Sequence, residues 1–219
     1  MMTVDELPPR PRYALLLNGS GFACEVLRAL QEQGFPPDLL LLPEYPPASA
    51  TSPALVEIAR PQPLSRLAGD IEIGYAPGAQ QAELAQRLRQ AQFAFLLVAC
   101  WPYLIEQTVV DSVTCGALNL HPSMLPRYRG PDPIGEQIEA GETRPGVSLH
   151  LLSPVFDQGD ILARALLPER PANGNRCSLE RACARLGSRL FIEALNGYDS
   201  GWQPIPQEEI EAAGTKRSR

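Results

Sequence analysis

Residues 13–42 read Y-A-L-L-L-N-G-S-G-F-A-C-E-V-L-R-A-L-Q-E-Q-G-F-P-P-D-L-L-L-L, and this run decides the fold. Tyr13 to Leu17 is a short, wholly apolar segment, the pattern of a strand buried on both faces. Asn18-Gly19-Ser20-Gly21 turns the chain. From Phe22 to Gln33 the apolar residues Ala23, Val26, Leu27 and Leu30 recur at helical spacing, and Gly34 stops the helix. Asp38 to Leu42 is a second apolar strand. Strand, glycine turn, helix and strand in that order open a parallel α/β sheet.

The same alternation continues. Pro43 to Pro53 is a proline-rich connection that reads either as a plain loop or as a substrate-entry loop. Ala54 to Ala68 is weakly helical, broken by Pro61 and Pro63, and Ile71 to Tyr75 alternates as a short strand. Gln80 to Gln92 is an amphipathic helix with Leu84, Leu88 and Ala91 on one face. Phe93 to Ala99 is a third buried strand, and Ala117 to Leu120 a fourth. A short helix over Ile134 to Ala140, strands over Val147–Leu152 and Ile161–Leu167, and a closing helix from Ser178 to Leu195 complete the series. Ser178 suits the N-cap of that helix, and Gly197 lies just past its end. The expected architecture is one doubly wound, Rossmann-like α/β domain with a mostly parallel sheet. It occupies residues 1–206, and everything after Trp202 looks like tail, with 207–219 set apart as a C-terminal tail.

Composition narrows the chemistry. The chain has 219 residues, 44% hydrophobic and 20% charged, which suits a globular protein with a substantial core. No apolar run approaches the ~20 residues of a membrane span, and the acidic, Pro-rich start has no signal-peptide core. A cytoplasmic address is expected. Five cysteines without a C-x-x-C pair read as reduced thiols. The single lysine, Lys216, lies in the terminal T-K-R-S-R. A phosphate-loop or Schiff-base lysine in the folded core is thereby excluded. Two histidines without paired cysteines offer little from which to build a zinc site, so no metal is expected. A net charge of −6 gives no bulk attraction to nucleic acid.

Ligands in such sheets sit outside the carboxyl ends of the strands, and Asn18, Trp101 and His121 fall at such ends. N-G-S-G-F-A at 18–23 is only a partial G-x-G-x-x-G, with Cys24 where the pattern should close. It reads as a helix N-terminus able to take an anion, or as a tight turn. The densest polar constellation is N-L-H-P-S-M-L-P-R-Y-R-G-P-D-P-I (119–134) followed by G-V-S-L-H-L-L-S-P-V-F-D-Q-G-D-I-L (146–162). Strand spacing sends Asn119 and His121 to one face, and Asp157 follows an apolar strand. An amide, an imidazole and a carboxylate at strand ends form a possible proton-handling site. His150, flanked by apolar residues, reads as core or as support for that site. Arg127 and Arg129 read equally as a solvated loop or an anion clamp. Trp101 and Tyr103 read as core or as neighbours of a flat heterocycle.

These two segments, with V-A-C-W-P-Y-L-I at 98–105 and the 18–23 turn, resemble the 10-formyltetrahydrofolate-dependent formyltransferases. The likeness is greatest to the catalytic domain of methionyl-tRNA formyltransferase and spans roughly residues 13–205. It implies Asn119, His121 and Asp157 as the catalytic trio. It implies 10-formyltetrahydrofolate as formyl donor, with the pterin against Trp101, Pro102, Tyr103, Leu104 and Ile105 and against Ser153, Pro154, Val155 and Phe156, largely through backbone groups. The implied chemistry is attack of an amine on the formyl carbon, with Asn119 and His121 as oxyanion donors and Asp157 as charge partner and proton acceptor.

Two departures bear on the acceptor. No C-terminal β-barrel domain is expected, and Pro131-Asp132-Pro133 stands where the tRNA enzyme has small residues and proline. The acceptor is then either tRNA-borne or a small amine, such as an amino sugar, an amino acid derivative or a nucleotide precursor. A formyltetrahydrofolate hydrolase and a non-enzymatic folate-binding module are the alternatives. The first lacks here the N-terminal regulatory domain of its relatives, and the intact trio speaks against the second.

Overall fold

The computed structural model describes residues 10–44, 64–78 and 81–216. Most of the 43–53 loop and the 54–63 part of the weakly helical stretch lie outside the described residues. Seven strands form one sheet in the order β3-β2-β1-β4-β5-β6-β7. They are β1 (Tyr13–Leu17), β2 (Leu39–Pro43), β3 (Glu72–Ala76), β4 (Phe95–Ala99), β5 (Gly116–His121), β6 (Gly146–Leu151) and β7 (Ile161–Leu166). The first five pair in parallel, and β6 and β7 are antiparallel to their neighbours. The mostly parallel α/β architecture expected from the sequence is the one observed.

Helices α1 (Gly21–Glu32), α2 (Leu64–Ala68) and α6 (Arg176–Gly197) cover one face, and α3 (Ala82–Gln90) and α4 (Gln107–Val110) the other. The strand period of two divides the apolar residues between the faces. Tyr13, Leu15 and Leu17 of β1 and Phe95, Leu97 and Ala99 of β4 join α1 and α6. Ala14, Leu16, Leu96 and Val98 join α3. This is why β1 and β4 read as unbroken apolar runs. Each fully buried leucine contributes about 1.5–3 kcal/mol, and the central strands hold most of them.

Two local expectations are corrected, and one short helix is new. Helix α6 starts at Arg176, and its cap is Asn175, whose side-chain oxygen accepts the Ser178 N–H at 2.9 Å. Ser178 is thus inside the first turn, because an asparagine three residues earlier meets the same orphan amide. Helix α4 follows the aromatic segment, where four residues are too few for a periodicity signal. The stretch read as tail after Trp202 is structured. Ile205 forms an antiparallel bridge with Ile161, and α7 (Gln207–Lys216) follows. Between β5 and β6 lies α5 (Pro133–Glu139), capped by Asp132, whose carboxylate accepts the Gly135 N–H at 3.1 Å.

Candidate active site

Strand β5 carries Asn119 and His121 to the carboxyl end of the parallel part of the sheet. Antiparallel β6 sets His150 directly opposite Asn119. The loop leaving β6 then folds back and delivers Asp157. Strand register and the returning loop together assemble these four polar side chains.

Asp157 is the centre. Its Oδ1 lies 3.4 Å from His121 Nδ1, 3.4 Å from Asn119 Nδ2 and 3.9 Å from His150 Nε2. Its Oδ2 accepts the Gly130 N–H at 2.9 Å. Burial alone would raise this carboxyl, but the His121 contact, the Gly130 amide and the His150 ring outweigh it and hold it below the usual carboxylate range. Asp157 is therefore a carboxylate at neutral pH.

His121 is buried, and both ring nitrogens face oxygen. Nε2 donates to the Tyr128 carbonyl at 2.8 Å, leaving Nδ1 toward Asp157. His150 is buried, with both ring nitrogens engaged. Its Nδ1 donates to the Leu151 carbonyl at 2.8 Å, so Nε2 is bare and accepts from Asn119 Nδ2 at 3.0 Å. Burial pushes the His150 imidazole down to about 4, the Leu151 bond offsetting only part of the effect. One amide hydrogen of Asn119 is thereby engaged, and the other points toward Asp157 at a distance long for a good hydrogen bond.

The loop after His121 is stitched to its surroundings. Ser123 Oγ donates to Arg127 O at 2.7 Å, Ser148 Oγ donates to Ser123 O at 2.7 Å, and Gln137 Nε2 donates to Pro122 O at 2.7 Å. Tyr128 and Asp157 both have left-handed backbones, with φ of 58° and 56°. Each such residue costs on the order of 1–3 kcal/mol and persists only when neighbours over-determine it. Tyr128 turns its carbonyl to His121, and Asp157 turns its carboxylate into the cluster. The glycine of D-Q-G-D is steric: a β-carbon on Gly159 would overlap the Leu151 carbonyl oxygen, the group that His150 uses.

The two segments expected at the donor lie beside this cluster. Trp101 and Ile105 are buried in the core beneath, with Tyr103 and Leu152 packed against the same cluster. Leu104, Val155 and Phe156 are exposed apolar side chains, the last at 55%. The buried Trp101 Nε1 has no partner among the described residues. Pro102, Ser153 and Pro154 complete the two turns, and Ser153 Oγ donates to Val155 O at 2.6 Å.

Arg127 and Arg129 are both engaged within the chain. Arg127 lies 2.6 Å from Glu142 Oε2 and over the Tyr128 ring. Arg129 donates to Gln207 Oε1 from Nε and Nη2, at 3.0 and 2.7 Å. At the 18–23 turn an anion is already in place. Glu180 of α6 is buried with its Oε2 against Gly21, the first residue of α1. Arg176 binds Glu180 through Nε at 2.9 Å and Asp132 through both terminal nitrogens, at 3.0 and 2.7 Å. Cys100 follows β4, between this turn and Asp157. Its thiol is pushed up to about 11, chiefly by burial, and stays protonated at neutral pH.

Among the described residues no group of His, Cys, Asp and Glu is placed to hold a metal ion, and no helix is long and apolar enough to cross a membrane.

Residues 41–195 match the family model for formyl transferase. The chain belongs to the formyl transferase family. A curated relative, methionyl-tRNA formyltransferase of Chloroflexus aggregans, is 38% identical over 135 residues, 61% of this chain and 43% of that protein. The chain spans about half the length, or less, of the curated relatives it matches. Among solved structures, glycinamide ribonucleotide transformylase 1 from Symbiobacterium toebii matches with a TM-score of 0.65 at 19% identity. That match covers 90% of this chain and 94% of the other. HypX from Aquifex aeolicus, in complex with tetrahydrofolic acid, matches with a TM-score of 0.59 at 19% identity, over 91% of this chain and 28% of that one. At these identities the structural matches speak for the fold of this formyl transferase domain.

Sequence reasoning missed three site components: the Gly130 N–H, the Tyr128 carbonyl and Gln207. The first two are backbone groups, which carry no residue signature. Gln207 stands in the stretch that read as tail.

Proposed function

We propose that this chain transfers a formyl group from 10-formyltetrahydrofolate to an amine. The observation that carries the reading is the meeting of Asn119 Nδ2 and His121 Nδ1 at Asp157 Oδ1, 3.4 Å from each. Two donors and a carboxylate converge there, beside an exposed apolar flank. The amine nitrogen attacks the formyl carbon, and the carbonyl electrons move to oxygen. Asn119 donates its weakly held amide hydrogen to that oxygen. His121, with Nε2–H given to Tyr128, donates from Nδ1 as imidazolium, its charge balanced by Asp157. Such donors contribute on the order of 3 kcal/mol each. Asp157 takes the proton lost by the amine, directly or through water. Collapse of the tetrahedral species breaks the bond to N10 of the folate and returns a proton to that nitrogen. The products are a formamide and tetrahydrofolate, and no metal enters these steps.

Leu104, Val155 and Phe156, with the unpartnered Trp101 Nε1, suit a heterocycle that is flat and carries acceptors. The complex of HypX, a structural match, with tetrahydrofolic acid supports a folate as ligand. The named relatives support a tRNA-borne amine. The self-paired state of Arg127 and Arg129, and Glu180 at the start of α1, favour an acceptor that brings no anion to these positions.

The test is incubation with 10-formyltetrahydrofolate and a panel of amines, charged initiator tRNA included, with the folate product followed by absorbance. Acceptor-dependent turnover lost in His121→Ala supports transfer. Equal turnover without amine points to hydrolysis, and folate-dependent thermal stabilisation without turnover points to a binding module.

A further inference from the structure

Gln207 opens α7 and is 2% exposed. A glutamine is rarely buried so completely unless its amide is satisfied, and here every bond goes to the site. Nε2 donates to the carbonyls of Asp157 at 2.8 Å and Gly159 at 2.9 Å. Oε1 accepts the Nε and Nη2 bonds of Arg129. Arg129 precedes Gly130, whose N–H holds the Asp157 carboxylate. A closed ring of contacts therefore runs from the Asp157 main chain through Gln207, Arg129 and Gly130 to the Asp157 side chain. Two further contacts fasten the segment. Ile205 and Ile161 exchange backbone bonds of 2.9 Å, and Glu211 lies 3.4 Å from Arg129.

We propose that Gln207 is a positioning residue for the Asp157 carboxylate, and that residues 205–211 form a strap setting the geometry of the transfer site. An amide serving stability alone could be satisfied from one side. Gln207 instead spans the two loops that must agree: the one holding His121 through Tyr128, and the one presenting Asp157. It also fixes the main chain of Asp157, which sits at a left-handed φ of 56°. Without the Nε2 donor, the carbonyls of Asp157 and Gly159 lose their partner and Asp157 loses its anchor. The groups facing that carboxylate are His121 and Asn119 from β5 and His150 from β6, with the Gly130 amide from the intervening loop.

The two histidines are the only ones in the chain, and both lie within 4 Å of Asp157. Their imidazole C–H signals in NMR report the carboxylate's position without any substrate. Gln207→Ala removes the whole bridge. Arg129→Gln cuts one joint and leaves both carbonyls satisfied, which keeps the idea testable if the first variant folds poorly. Glu209→Ala, exposed on the same helix, is the control. Both bridge variants are expected to shift the imidazole C–H signals of both histidines. Both should lower kcat about 10- to 100-fold, the scale of a displacement of about 1 Å. The KM for the formyl donor should stay within about threefold. Unchanged histidine signals in a folded Gln207→Ala would overturn the proposal, as would a loss of kcat no larger than the loss of folded protein. The kinetic arm rests on the formyl-transfer reading. If the parent formylates no amine, that reading falls while the histidine signals still decide the role of Gln207.

Discussion

His150 accepts the Asn119 amide through a bare Nε2, 3.0 Å from Asn119 Nδ2, because its other nitrogen donates to the Leu151 carbonyl. The imidazole must be neutral to do this. Its folded value of about 4 lies below the ordinary 6.5, so between these values the unfolded chain binds the extra proton. Stability is full above about pH 6.5 and falls as pH drops toward 4, by on the order of 3 kcal/mol for this group. Asp157, whose carboxyl is also held low, extends the loss further into acid. Thermal melts from pH 7 to 4 should show a falling Tm, and His150→Gln should flatten the slope within that window.

Removing the charge of Asp157 tests the centre of the site. Asp157→Asn keeps the shape and an acceptor for the Gly130 N–H, but not the proton acceptor or the charge beside His121. We expect Tm within a few degrees of the parent and kcat lowered about 10²- to 10⁴-fold. A variant with full turnover would remove Asp157 from the chemistry.

Gly159 is required by contact. A β-carbon there would overlap the Leu151 oxygen and crowd His150 Nδ1. Gly159→Ala should displace the Asp157 loop, lower stability by about 1–3 kcal/mol and abolish turnover, as urea unfolding and the formyl-transfer assay would show together.

Glu180 and Gly21 form a second tight pair. A β-carbon on Gly21 would fall on Glu180 Oε2, which Arg176 keeps in place through Oε1. Gly21→Ala should destabilise by about 1–3 kcal/mol. Adding Glu180→Ala should relieve much of that cost. The double-mutant cycle, by chemical denaturation, should show coupling of at least about 0.5 kcal/mol, and additive effects would refute the contact.

Much of this was legible beforehand because it rests on local pattern. The unbroken apolar runs of β1 and β4 follow from burial on both faces, and Asn119 and His121 share a face because a strand repeats every two residues. What escaped reading was non-local or lay in the backbone. Asn175 and Ser178 are both good caps, and only the path of the preceding chain chose between them. Arg127 and Arg129 look free in the sequence, but their partners are Glu142, past the end of α5, and Gln207, at the start of α7.

By itself, the sequence determined most of the order of elements, the mostly parallel sheet and the family, and it offered Asn119, His121 and Asp157 as the candidate trio. These depend on periodicity and on side chains that carry their own chemistry. The tertiary structure alone decided how the trio is held. The antiparallel register set His150 against Asn119, the left-handed turns at Tyr128 and Asp157 aimed a carbonyl and a carboxylate, and the chain beyond Trp202 returned Gln207 beneath the site. A hydrogen bond between residues 50 apart, such as Gln207 to Asp157, leaves no local trace, because its donor and acceptor meet only after the sheet has formed.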